Sequence, residues 1–163
     1  MKAFALFLTC FLVVGACKSI ENNQTENSTT KSIAKGDPNE NKRSLLETGL
    51  CRRCDLSGVN LSYENLVNAD LRSTDLRGAN LQGANLSNAE LSHANLRGAS
   101  LYEANLYSAN FGLANLIDVD LRNANLDKTN LLGTTLPEPQ FYEGATFKGA
   151  TPGPINMLTS SPS

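Results

Sequence analysis

The chain has no tryptophan, one histidine and two methionines, and its aromatic residues amount to only 6%. A core built around large rings is therefore excluded, and repeated small and aliphatic side chains must fill the interior. A single His leaves no partner imidazole for a multi-histidine metal site. Charge of one sign is also lacking: 14 basic and 16 acidic residues give a formal net charge of -2. No basic surface is available to hold phosphates, so direct nucleic-acid binding is not expected. Long hydrophobic runs are missing as well, apart from twelve residues from Ala3 to Val14, too few to span a bilayer comfortably. At 163 residues the chain has room for one core.

The apolar run follows Met1 and Lys2 and ends in Val14-Gly15-Ala16-Cys17. Its length suits the h-region of an export signal over residues 1–16. The last four residues resemble the lipobox of bacterial lipoproteins, in which small residues precede a Cys that is lipidated on sulfur and becomes the new N-terminus. The resemblance implies that Cys17 carries the lipid and that the protein is anchored to a membrane facing the periplasm or cell exterior. Plain secretion after cleavage at Ala16, or an uncleaved anchor, are the alternatives. Lys18 stands where an inner-membrane retention Asp is common, which favours the outer membrane. Residues 17–43 continue as a polar, Asn-, Thr- and Ser-rich stretch with little to bury, read as a disordered tether. As a flexible coil its length past Cys17 would reach about 25 to 30 Å.

From Leu56 to Leu136, seventeen positions at a period of five carry a large apolar residue, all Leu except Phe111. A step of five scatters residues around an α-helix and alternates faces on a flat strand, so neither element explains it. The period fits a square coil in which each pentad is one side, so residues twenty apart stack. Two residues before most of these apolar residues stands a small one, Ala at 69, 79, 84, 89, 94, 99, 104, 109, 114 and 124, expected to point inward where space is short. Asn or Asp lies between the two at most repeats, suited to bonding local backbone.

The motif A-(N/D)-L-x-x, as in Ala79-Asn80-Leu81-Gln82-Gly83 and Ala94-Asn95-Leu96-Arg97-Gly98, resembles that of the pentapeptide-repeat family. The resemblance covers about half the chain and implies an all-β fold, a right-handed quadrilateral parallel β-helix. Seventeen pentads would give just over four coils, about 20 Å at the strand spacing. Glu64 departs from the small inward position, which calls for a local bulge or an irregular first coil.

An open β-helix leaves unpaired backbone at its ends, so caps are expected. Ser44-Leu45-Leu46-Glu47 reads as a capping box and Gly49 as a terminator, predicting a capping helix over residues 44–50. The repeat domain is placed at 51–150 with an irregular end: Pro137 and Pro139 break the frame, and Phe141, Ala145 and Phe147 resume it. Residues 151–163 read as a disordered Pro- and Ser-rich tail.

No catalytic set, cofactor site or metal site emerges. Cys51 and Cys54 fall on a large-inward and a small-inward position, which favours a buried structural pair, a disulfide outside the cytoplasm, over redox or metal roles. Such a pair just before the repeats also resembles exported pentapeptide-repeat proteins of cyanobacteria. His93 reads as a surface residue, and Asp118, Asp120 and Asp127 as a solvated group. Arg77, Arg97, Tyr102 and Tyr107 occupy outward positions and form a candidate protein-binding patch.

Two functions are carried forward. The first is a non-catalytic envelope lipoprotein presenting a rigid rod to an unidentified protein partner, with homodimerisation through the Phe141 end as a further expectation. The alternative, implied by family members that imitate DNA and bind type II topoisomerase, needs a strongly acidic cytoplasmic rod. Seven basic against nine acidic residues between Cys51 and Leu136 do not supply it.

Overall fold

The computed structural model describes residues 36–151. Within them the chain winds as a four-sided coil with one turn per twenty residues. Parallel bridges pair Leu50 with Asp70, Asp55 with Asp75, Asn60 with Asn80, and so on to Asn115 with Thr135. Each side repeats one hydrogen-bond pattern: the Leu76 N–H donates to the Asn95 carbonyl at 2.8 Å, and the Asn95 N–H donates back to the Thr74 carbonyl at 2.9 Å.

The corners explain why the period is five. The N–H three residues after each Leu returns to that Leu's carbonyl, as from Ala79 to Leu76 and from Ala94 to Leu91, both at 3.0 Å. This is a β-turn whose third residue takes positive φ, the type II geometry. Every such residue from Arg53 to Gly133 is left-handed, including Tyr63 at φ 60° and Leu113 at φ 61°. Small or Asn-like residues suit that conformation; a bulky side chain costs about 1–2 kcal/mol there. The four corners form columns. Corner I holds Gly58, Gly78, Gly98 and Asp118; corner II holds Tyr63, Gly83, Glu103 and Asn123. Corner III holds Asn68, Asn88, Ser108 and Lys128, and corner IV holds Arg53, Ser73, His93, Leu113 and Gly133.

Large inward residues are buried without a break from Cys51 through Leu56 to Leu131, with Phe111 in its place in the series. Each Leu so buried contributes about 1.5–3 kcal/mol against the entropy of ordering its pentad. Thr replaces Ala at three small inward positions, and each hydroxyl finds a corner carbonyl. Thr129 Oγ1 donates to Leu106 at 3.0 Å, Thr134 Oγ1 to Leu131 at 2.8 Å, and Thr74 Oγ1 to Cys51.

The helix before the first coil differs from expectation. α1 runs Pro38–Thr48, so it begins inside the stretch read as tether, and Ser44 and Glu47 lie within it rather than at its start. Its N-cap is Asp37, whose side chain accepts from the Asn39 N–H at 3.0 Å, and Pro38 supplies a φ already suited to a first turn. Gly49 ends it at φ 71°, with its N–H returned to the Leu45 carbonyl, as the sequence suggested. Polar contacts hold it. Asn41 Nδ2 donates to the Asp55 carbonyl at 2.9 Å and Lys42 Nζ to the Asn60 carbonyl, two edge oxygens for which the first coil has no preceding coil. Leu45 alone on its buried side joins the apolar core. Glu64 causes neither a bulge nor a loss of register: Asn60–Asn80 and Asn65–Asn85 remain paired around it. Its carboxylate reaches outward to Lys42 Nζ at 3.7 Å, a way out available in the terminal coil.

At the other end the frame slips by one residue. Glu138 has φ -66° instead of a left-handed value, and a 3-10 turn, Pro139–Tyr142, takes up the extra residue. Bridges then pair Asn125 with Thr146 and Asn130 with Thr151, and left-handed corners resume at Gly144 and Gly149. Tyr142, not Phe141, therefore takes the inward place and packs on the core with Ala145, Phe147 and Ala150. The sequences assigned to the export signal, to Cys17 and the first part of the tether, and to the tail lie outside the described residues, except Thr151, which the slipped ladder pairs with Asn130 and so draws out of the tail into the last coil.

Candidate binding surface

The residue before each Leu does two tasks. Its side-chain oxygen accepts the N–H two residues on, as from Gln82 to Asn80 at 3.1 Å, which sets the corner's first residue. Its amide also links coils: Asn105 donates to Asn85 and Asn125 to Asn105, each at 3.2 Å, and Asn130 donates to Asn110 at 2.9 Å. Where the residue is Asp followed by Leu-Arg, the acid closes on its own arginine. Asp70 binds Arg72 at 2.8 Å and also Arg52, Asp75 binds Arg77 at 2.7 Å, and Asp120 binds Arg122 at 2.7 Å. The Arg122 hydrogen bond lowers the Asp120 pKa from its ordinary value, against a smaller opposing effect of burial. The hydrogen bonds to Asp75 and Asp120 likewise raise Arg77 and Arg122.

The four residues of the candidate patch do not form one surface. Arg77 and Arg97 lie twenty apart beside corner I, as the repeat predicts, while Tyr102 adjoins corner II and Tyr107 adjoins corner III, diagonally opposite the arginines. Each is engaged locally. Arg97 reaches Asp118 at 3.5 Å, Arg122 stands 5.7 Å from the Tyr102 ring centroid, and Lys128 stands 5.1 Å from that of Tyr107. Tyr107 raises the Lys128 pKa, first through a hydrogen bond and then through its charge.

The corner residues hold outward features that sequence reasoning passed over. Tyr63 is 69% exposed, Leu113 60% and Leu132 67%. The side chains at left-handed corners lean onto the next coil: a Cβ built at Gly83 would overlap the Tyr63 ring, and one at Gly133 would lie 2.6 Å from Leu113 Cδ2. The signal was present, because Tyr63 and Leu113 are bulky residues two places after a large inward residue, Leu61 and Phe111, where Gly, Asn and Ser predominate.

Cys51 and Cys54 are disulfide-bonded across the first corner, with Cα atoms 5.4 Å apart, and both are buried. His93 is an exposed corner residue. Asp118, Asp120 and Asp127 belong to different columns and are used separately; Asp127 accepts the Lys148 N–H at 2.8 Å. Among the described residues no group of His, Cys, Asp and Glu could hold a metal ion, and no helix is long and apolar enough to cross a membrane.

Comparison with known proteins follows the coil. Residues 51–88, 79–116 and 114–151 match the profile described as pentapeptide repeats, with 8 copies. Among solved structures, the chain is similar to a pentapeptide repeat protein of the Arabidopsis thaliana thylakoid lumen, with 38% identity over 66% of this chain and 69% of that one and a TM-score of 0.51. It is also similar to one from Nostoc, with 29% identity over 65% of this chain and 92% of that one and a TM-score of 0.48. A third, from the cyanobacterium Cyanothece, has 30% identity over 70% of this chain and 94% of that one, with a TM-score of 0.32. The Arabidopsis protein, a right-handed β-helix of pentapeptide repeats, agrees with the coil described above. No curated protein matches the chain.

Proposed function

Because the chain belongs to the pentapeptide-repeat family, we propose that it is a non-catalytic envelope lipoprotein whose β-helix is a rigid rod for binding or scaffolding a protein partner. The observation that carries this is the filled interior: Leu and Ala occupy the axis from Cys51 to Leu131, and polar groups lie on the outer corners, so recognition is what the domain offers. The address rests on Val14-Gly15-Ala16-Cys17 and the polar stretch after it, with a lipid on Cys17. The Cys51–Cys54 disulfide supports a compartment outside the cytoplasm. α1 acts as the N-terminal cap, through Asn41 and Lys42. The last coil, with Leu136, Tyr142 and Phe147 packed but only partly covered, is the surface for homodimerisation.

The test is metabolic labelling with a fatty acid and membrane fractionation, for the intact protein and for Cys17→Ala. Label and membrane attachment that disappear in the variant are expected. A soluble, unlabelled cytoplasmic protein would overturn the address and return attention to topoisomerase. That second function is disfavoured by the ion pairs: Glu64, Asp70, Asp75, Asp118 and Asp120 each face a basic side chain, so no acidic stripe resembling a phosphate backbone is left on their columns. Inhibition of gyrase supercoiling by the purified chain would revive it.

A further inference from the structure

Corner II carries two oriented tyrosine rings, and we propose that it binds a single β-1,4-linked glycan strand, with Tyr63 and Tyr102 stacking on alternate sugars. Tyr63 is the more telling. It stands at φ 60°, a conformation that disfavours a bulky side chain, and it is largely exposed, so the fold gains little from it. Gly83 serves the same column without strain of that kind.

Neither ring is loose. Tyr63 lies over Gly83, where the missing side chain leaves room, and its hydroxyl accepts from Gln82 Nε2 at 3.2 Å. The Tyr102 hydroxyl accepts from Asn123 Nδ2 at 3.3 Å, and the Arg122 guanidinium flanks its ring. Orientation before binding lowers the entropy that a ligand must overcome. Both rings lean one coil toward the C-terminus, because Gln82 follows Tyr63 by one coil and Asn123 follows Tyr102 by one coil. The rings therefore keep the separation of their own coils, two strand spacings or about 10 Å. Two sugars of an extended β-1,4-linked chain advance by a similar length.

The chemistry agrees with the spacing. Pyranose rings present C–H faces that pack on aromatic rings and hydroxyls that bond to amides such as Gln82 and Asn123. Arg122 is already paired with Asp120 and the column also carries the exposed carboxylate of Glu103, so the strip has nothing to attract a nucleic acid, while a carboxylate can accept hydrogen bonds from sugar hydroxyls. A ridge with one exposed ring, Tyr63, and one half-buried ring, Tyr102, repeats its contacts along the coil, which suits a polymer whose affinity accumulates along its length. The strip lies wholly in described residues and does not depend on a lipid at Cys17.

The experiment is co-sedimentation of the full chain, in mild detergent, with protein-free peptidoglycan sacculi, chitin and cellulose. Three variants use residue types that the coil already holds at equivalent positions: Tyr63→Gly, Tyr102→Ser and Tyr107→Ser. The expected result is retention on at least one glycan, competed by soluble chito-oligosaccharides, with the preferred glycan identifying the source. Tyr63→Gly and Tyr102→Ser should each weaken binding about tenfold, the usual effect of losing one aromatic anchor. Tyr107→Ser should bind as the wild type does, and thermal melts should show that all three variants fold. Absence of retention on all three glycans, or undiminished retention in the Tyr63→Gly/Tyr102→Ser double variant, would overturn the proposal.

Discussion

The two ends of the coil meet the same physical problem in different ways. At the N-terminal end, the edge carbonyls of Asp55 and Asn60 take donors from Asn41 and Lys42 of α1, and the disulfide closes the first corner beneath it. At the C-terminal end the ladder continues through a one-residue slip, and a T-shaped pair, Tyr142 and Phe147 at 5.9 Å between centroids, packs on the last Leu layer. One end is finished by directed hydrogen bonds and the other by aromatic bulk that remains partly exposed. The difference teaches that a solenoid's stability is set by neighbours, so an interior coil with two of them should behave unlike either end.

The largest effect should come from placing a charge on the axis. Leu96→Asp, at a fully buried position between two complete coils, should unfold the domain cooperatively, because an unpaired buried carboxylate costs several kcal/mol. Leu136→Asp, at a partly covered position, should fray the last coil and leave the rest intact. Circular dichroism melts of the two variants check this, and equal losses would remove the distinction between interior and end.

Asn41→Ala should cost about 1–3 kcal/mol, since it leaves the Gly36 and Asp55 carbonyls without their buried donor. Amide exchange should accelerate in α1 and the first coil while the last coil keeps its rates. A smaller change tests the corners. Ser73→Gly, at φ 58°, should stabilise by up to about 1 kcal/mol, whereas Glu138→Gly, at φ -66°, should destabilise slightly. A matching gain at both positions in denaturant titrations would mean that residue 138 also turns a left-handed corner.

The smallest expected effect is electrostatic. Asp120 is partly exposed and its pKa is depressed by Arg122, so its contribution is present above the ordinary Asp range and is lost as pH falls below about 4 toward the folded-state value. Arg122→Ala should move the Asp120 titration upward, toward that ordinary value, as followed by carboxyl NMR shifts. The variant's melting temperature at neutral pH should change little.

How much of this was legible depended on where the determining contact lies. The Leu period and the Ala two places earlier report the axis directly, because each side chain meets the same surroundings every twenty residues. α1 was placed several residues too late because polar composition argues against burial. Asn41 and Lys42 bind carbonyls that exist as an edge only after the coil has formed. The break at Pro137 was visible, yet the choice of Tyr142 over Phe141 followed from a one-residue slip absorbed in a 3-10 turn, which periodicity does not specify. The candidate patch was scattered because Arg77, Tyr102 and Tyr107 share a position in the pentad but not a column. Tyr63 was passed over for the opposite reason. A corner position demands only a turn residue, so periodicity carries no information about the ring placed there.

The most direct measurement is amide hydrogen exchange across the whole coil, comparing the two terminal ladders with the interior. Arg53 and Gly58 donate to Arg72 and Arg77 at 3.0 and 2.9 Å beneath α1, and Asn123 and Lys128 donate to Glu143 and Lys148 at 3.0 and 2.9 Å in the slipped coil. With hydrogen-bond lengths so similar, protection should follow the covering: slowest at interior Leu96, intermediate at Arg53 and Gly58, and fastest at Asn123 and Lys128. Uniform rates along the coil, or faster exchange beneath α1 than in the last coil, would contradict the account of a rod covered by α1 at one end and left partly exposed at the other.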